Sequence, residues 1–170
     1  MDNNIIIIGV ILLILLLYII IGFNKLNKAK KELSEQFVKL DEHLKKKFDL
    51  IPNLVQIIGI YVSNNSEVII NLNKLYRIYT KTRSKKKKII AANNLKDYIS
   101  KVFALIDSYP ELRVNSNFMQ VQMQFKTLEE NILYTSEFYN NEAKKYNKKL
   151  YFNFIFFIFG YSVAKTYDNK

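Results

Sequence analysis

A run of nineteen uncharged residues, Ile5 to Phe23, opens this chain, and Lys25, Lys28, Lys30 and Lys31 follow it. At about 1.5 Å per residue, a helix of that length just crosses a hydrocarbon core of roughly 30 Å. Only Asp2 and the α-amine carry charge before the run, and Lys and Arg stay on the cytoplasmic side. The sequence therefore predicts a single-pass anchor at the cell membrane, with the N-terminus outside and everything after Asn24 inside. A cleaved signal peptide would need a basic start, a shorter apolar stretch and a small-x-small cleavage site. A core helix would be apolar on one stripe, whereas this run is apolar all round.

The chain divides by composition into an anchor (1–24), a helical bundle (25–150) and an aromatic C-terminal segment with a tail (151–170). Only four Gly and two Pro interrupt the whole sequence, which favours long helices over strands joined by turns. The fold expected is all-α: one transmembrane helix, then an antiparallel four-helix bundle with a coiled-coil-like seam. Cysteine is absent, so neither disulfides nor thiolate metal sites form.

Apolar spacing predicts the helices. The first runs from about Lys25 to Lys47 on Leu26, Leu33, Phe37, Leu40, Leu44 and Phe48, continuous with the anchor, and Lys45–Lys47 complement its C-terminal dipole. Asp49 is the expected N-cap of a second helix, with Pro52 in its first turn. Its stripe, Ile51 to Tyr79, keeps phase across the polar Ser63–Ser66; these weak helix formers leave a break open, while the phase favours continuity to about Thr82. Lys81 to Lys88 form a linker, and a third helix spans about Ile89 to Ser108, stopped by Pro110. A fourth begins near Asn115 or Ser116, with Phe118, Phe125, Ile132, Tyr139 and Tyr146 recurring every seven residues. The segment Tyr151–Tyr161 is too short to span a bilayer.

Three blocks carry a family resemblance. The first is Asp49-Leu50-Ile51-Pro52-Asn53-Leu54-Val55 after three lysines. The second is Tyr109-Pro110-x-Leu112 followed by Asn115-x-Asn117-Phe118. The third is Glu129-x-x-Ile132 with Tyr139-Asn140 and Tyr146-Asn147 seven apart. In order and distance the chain resembles the LemA family. The resemblance implies an antiparallel helical bundle on a single anchor and no defined reaction. The sequence departs from the family pattern at Asn64-Asn65, where many members carry His-Glu, at Ser136, where a basic residue is common, and at Phe152-Asn153 in place of Phe-Pro.

No constellation for chemistry stands out. The only His, His43, has no Cys to activate and reads as a surface or packing residue. Neither zinc-ligand spacing nor paired Glu-x-x-His occurs, and there is no glycine-rich phosphate loop. The sequence predicts no catalytic, metal or cofactor site, hence a non-enzyme. Asp49 and Asn53 read as a cap and an inter-helix hydrogen bond. Glu129 has the option of pairing with Asp41 or Asp49 across the bundle, but acidic residues in bundles are usually solvated or paired with Lys. Tyr139 and Tyr146 read as packed rings whose hydroxyls reach a partner.

The charge of +11 suits nucleic acid, an acidic partner or anionic lipid. No nucleic-acid module or basic stripe accompanies it, so nucleic acid is not expected. Antiparallel helices would gather Lys25–Lys31, Lys81, Arg83, Lys85, Lys86, Lys87, Lys88 and Lys144, Lys145, Lys148, Lys149 at the membrane end. That makes Lys81 to Lys88, Lys148 and Lys149 the lipid-contact candidates. The function expected is a membrane-anchored scaffold that binds an unidentified protein partner. The alternatives are a lipid-binding or membrane-remodelling protein, and an accessory subunit of a membrane enzyme such as a metalloprotease, which LemA-like proteins often accompany.

Overall fold

The computed structural model describes residues 3–63, 66–106, 109–152 and 154–168. Asp2, Asn64, Asn65, Ser108 and Asn153, which figure in the sequence reading, lie outside the described residues. The chain is all-α, with no strand among the described residues.

Helix α1, Asn3–Asp49, is unbroken for 47 residues, or about 70 Å. Its apolar first part is long and apolar enough to cross a membrane, and its side chains stand exposed. From Leu26 onward one face turns inward, and Leu26, Leu33, Phe37, Leu40, Leu44 and Phe48 are buried. Helix α2, Ile51–Ile58, follows after one residue.

Asp49 does not cap α2. Leu50 stays in the right-handed helical region and supplies no side-chain cap. Pro52 lacks the N–H that would bond the Phe48 carbonyl. The boundary is thus a one-residue interruption at the proline in a nearly continuous helix, not a new start. Asn53 is exposed and does not make the expected inter-helix bond.

The second correction concerns continuity. The chain leaves helix at Gly59 and re-enters it at α3, Glu67–Lys81, where the Ser66 side chain accepts from the Ile69 amide at 3.4 Å. Ser competes for backbone bonds more strongly than it supports a helix interior, and that outweighs the preserved apolar phase. Third, the basic linker is shorter than expected. Ser84 accepts from the Lys87 amide, so Lys85 to Lys88 form the first turns of α4, Lys85–Ile106. A short helix α5, Pro110–Arg113, precedes α6, Ser116–Phe152, which Asn115 caps through the Phe118 amide at 3.0 Å.

Helix α6 lies antiparallel to α1. Phe37 meets Tyr139 edge-on at 5.8 Å, and Lys47 bonds Glu129. Phe118, Val121, Phe125, Ile132, Tyr139 and Tyr146 form the buried seam. The α3–α4 hairpin closes the bundle. Tyr79 stacks on Phe48 at 3.9 Å and donates to the Asp41 carboxylate at 2.6 Å, which also takes the Lys88 ammonium at 2.5 Å. Burial and that carboxylate push the Tyr79 phenol far above its ordinary pKa.

A 3-10 turn, Phe154–Phe157, ends the helical part. Gly160 then takes a positive φ of 79°, which only glycine adopts without strain, and turns the chain back along the bundle.

Candidate functional site: a clamped tail and a charged cleft

Residues 161–168 are extended and run antiparallel to α6. The two Tyr-Asn pairs hold them. Tyr146 donates to the Ser162 carbonyl at 3.2 Å and Tyr139 to the Lys165 carbonyl at 2.7 Å. Asn147 bonds both backbone groups of Ala164, donating at 3.0 Å and accepting at 2.8 Å. Asn140 does the same for Tyr167, at 2.9 Å each way.

The spacing explains itself. Seven helical residues advance about 10.5 Å, and three extended residues advance about 10 Å. A heptad on α6 therefore matches a triplet on the tail, so the same contact pair recurs in register. An amide side chain offers a donor NH2 beside an acceptor oxygen, the pairing that an extended residue's C=O and N–H need. On α4, Asn93 bridges two tail residues, donating to the Thr166 carbonyl at 3.5 Å and accepting from the Asp168 amide at 3.0 Å. Lys96 donates to the Asp168 carbonyl at 3.2 Å. Burial raises the Tyr139 phenol to about 12, so it stays a donor at any physiological pH.

The Tyr167 ring is buried beside Glu129, and burial raises its phenol first, that carboxylate second. Glu129 in turn bonds Lys47, whose side chain is only 3% exposed, and lies 4.0 Å from Lys96. Burial lowers the Lys47 ammonium, and Glu129 counters it. Lys47 thus packs as the counter-ion of Glu129 rather than as a solvated last-turn cation. A cleft of about 640 Å³ opens beside this pair between α4 and α6, walled by Ile99, Phe103, Met119 and Met123. Ser136, on the same helix, is buried and donates to the Leu133 carbonyl at 2.8 Å.

The basic clusters overlap in level without coinciding: burial and then the nearby Lys30 lower the Lys85 ammonium, whereas Lys88 reaches on to Asp41. Lys85 donates to Ser34 and Lys88 to Asp41. Ser34 lies ten residues beyond Asn24, roughly 15 Å farther along α1. Lys81, Arg83, Lys86 and Lys87 are exposed at that height. Lys148 and Lys149, following the α1–α6 register, come level with Asn27 and Lys28, directly after the apolar run. The aromatic segment is level with them: Phe156 and Tyr161 each meet Phe23 edge-on at 5.8 Å, and Tyr161 donates to Asn27 at 2.6 Å. Phe156 is buried, whereas Tyr151, Phe152, Ile158 and Phe159 are largely exposed.

Of the motif residues, Ile51 and Leu54 are core, Leu50, Val55 and Tyr109 are half-buried, and Asp49, Pro52, Asn53 and Pro110 are exposed. His43 is half-buried on α1. No group of three or more His, Cys, Asp or Glu side chains comes together among the described residues. Sequence reasoning missed the tail as the partner of the Tyr-Asn pairs. The signal was present in the seven-residue spacing of a residue type that mimics the backbone.

A family model, that of the LemA family, matches residues 36–168, which takes in most of the bundle and the described tail. No curated protein matches the chain.

Proposed function

The chain belongs to the LemA family, and we propose that it acts as a membrane-anchored, non-enzymatic scaffold that presents a helical bundle to a partner protein at the cytoplasmic face of the cell membrane. The observation that carries this reading is the continuity of α1. The same helix provides the apolar run and the central seam of the bundle, with no linker between. Such a body is oriented rigidly relative to its anchor, which suits holding a partner and not reaching for one. The basic flank after Phe23 supports a cytoplasmic bundle.

Two measurements test it. A reporter active only in the cytoplasm, fused after Lys170, is expected to be active, and activity of an export-dependent reporter at that position refutes the orientation. Cross-linking in native membranes is expected to recover the chain with a protein companion in fixed ratio. Recovery of the chain alone refutes the scaffold.

A lipid-contact reading has its own support, the exposed aromatic segment packed on Phe23. Aromatic side chains settle at the bilayer interface. Because the chain has no cysteine, a single Ile158→Cys carries a fluorophore cleanly. In reconstituted full-length protein, brominated lipids should quench a label at 158 severalfold. A label at Ile60→Cys, 77% exposed at the far end of the bundle, should be unaffected. Equal response at the two positions removes the lipid contact.

A further inference from the structure

We propose that the groove between α4 and α6 is a receptor for extended peptide segments, and that the tail is its resident, displaceable occupant. The inference rests on the partner-binding reading above and gives it a docking site.

The chemistry of the contacts carries it. Nine hydrogen bonds tie Tyr139, Asn140, Tyr146, Asn147, Asn93 and Lys96 to the main chain of residues 162–168. A groove that reads the backbone accepts many sequences, as strand-addition sites do. Selectivity lies where the tail's side chains are enclosed, with Thr166 half-buried beside the two positions that matter most. The ring of Tyr167 is buried against Glu129, and Ala164 is half-buried above Asn147. Ser162, Val163, Lys165 and Asp168 face outward. The groove thus fits an extended segment of a partner protein with a small residue followed, three positions later, by Tyr or Phe. Proline is excluded where the groove needs an amide: at the small residue, at the aromatic and just after it.

The tail's attachment makes it a gate. A short tether holds its segment at an effective concentration on the order of millimolar. A free peptide with the same contacts and micromolar affinity is then outcompeted about a thousandfold until the tail is freed. Gly160, with open space around its Cα, is the turn through which the tail can swing out.

The experiment uses the full chain in lipid nanodiscs, with a protease site inserted between Gly160 and Tyr161 and cut after folding. The probe is a labelled synthetic peptide of residues 161–170. The cut chain should exchange its tail for the peptide saturably, and the uncut chain should bind it at least a hundredfold more weakly. Peptides carrying Tyr167→Ala or Ala164→Pro should lose at least tenfold, and one carrying Val163→Thr should bind as the parent does. Asn140→Ala with Asn147→Ala in the protein should weaken uptake at least tenfold with helicity retained. A cut chain that keeps its tail without exchange, unfolds when the tail leaves, or takes a scrambled peptide equally well overturns the proposal. So does dimer formation by reciprocal tail exchange in place of peptide uptake, which would make a second copy the occupant. None of these results touches the reporter and cross-linking tests, so the scaffold reading stands or falls separately.

Discussion

Glu129→Ala should destabilise the folded chain by about 3 kcal/mol, near the low end for breaking a buried ion pair because Glu129 is itself 35% exposed. The cost comes from what is left behind. Lys47 remains 3% exposed inside the bundle with its counter-charge gone, and Lys96 loses a carboxylate 4.0 Å away. The Tyr167 ring loses the group it packs beside, so the tail should loosen as well. Lys47→Met with Glu129→Leu removes both charges and should recover most of the loss, since an apolar pair of similar volume replaces a desolvated ionic one. Thermal melts of the detergent-solubilised full chain measure this, with an expected drop on the order of 10 °C for the single variant. A single variant within 2 °C of the parent, or a double variant no better than the single, would show that the pair does not balance a buried charge.

The helices were legible because burial in an all-α chain leaves a period, and a period is visible in one dimension. The heptad from Phe118 to Tyr146 is buried along its length, and the stripe from Leu26 to Phe48 faces it. What the period could not reveal is where backbone bonds are satisfied. The apolar phase runs through Ser63–Ser66, yet the helix stops at Ile58, since phase reports only on faces and Ser66 offers the backbone a cap. Asp49 looked like a cap because of its residue type. Whether a residue caps depends on its own φ and ψ, which an N-cap needs outside the helical region, and Asp49 is itself the last residue of α1.

The candidate site was half visible. Tyr139-Asn140 and Tyr146-Asn147 stood out as a repeat, but their partner has no pattern of its own. The tail is bound by its main chain, and a main chain carries no sequence signal. The charged residues show the same limit. Lys47 read as one of three similar lysines at a helix end, and only the facing of α1 and α6 separates it from Lys45 and Lys46, which are exposed. Three basic clusters were expected at one end from topology alone. In the structure Lys85, beside Ser34, lies near Lys30, whereas Lys88 pairs with Asp41 about two turns farther along α1.

Ile132→Ala should cost about 3–4 kcal/mol, within the usual range for deleting a fully buried branched side chain. Ile132 is 0% exposed and lies in the seam where α6 crosses Leu40 and Leu44, both equally buried. Three carbons leave, and two long helices clamped at Phe37–Tyr139 on one side and Lys47–Glu129 on the other cannot close the void. His43, one residue before Leu44, provides the control. It is half-buried, and its Nδ1 is enclosed without a hydrogen-bond partner. Replacing it by Leu removes an unsatisfied polar atom while keeping the packing, so stability should hold or rise by about 1 kcal/mol. Denaturant titrations of the two variants beside the parent decide the matter. If His43→Leu loses as much as Ile132→Ala, then His43 carries a buried interaction that the packed faces of α1 do not account for, and the assignment of its seam must be redrawn.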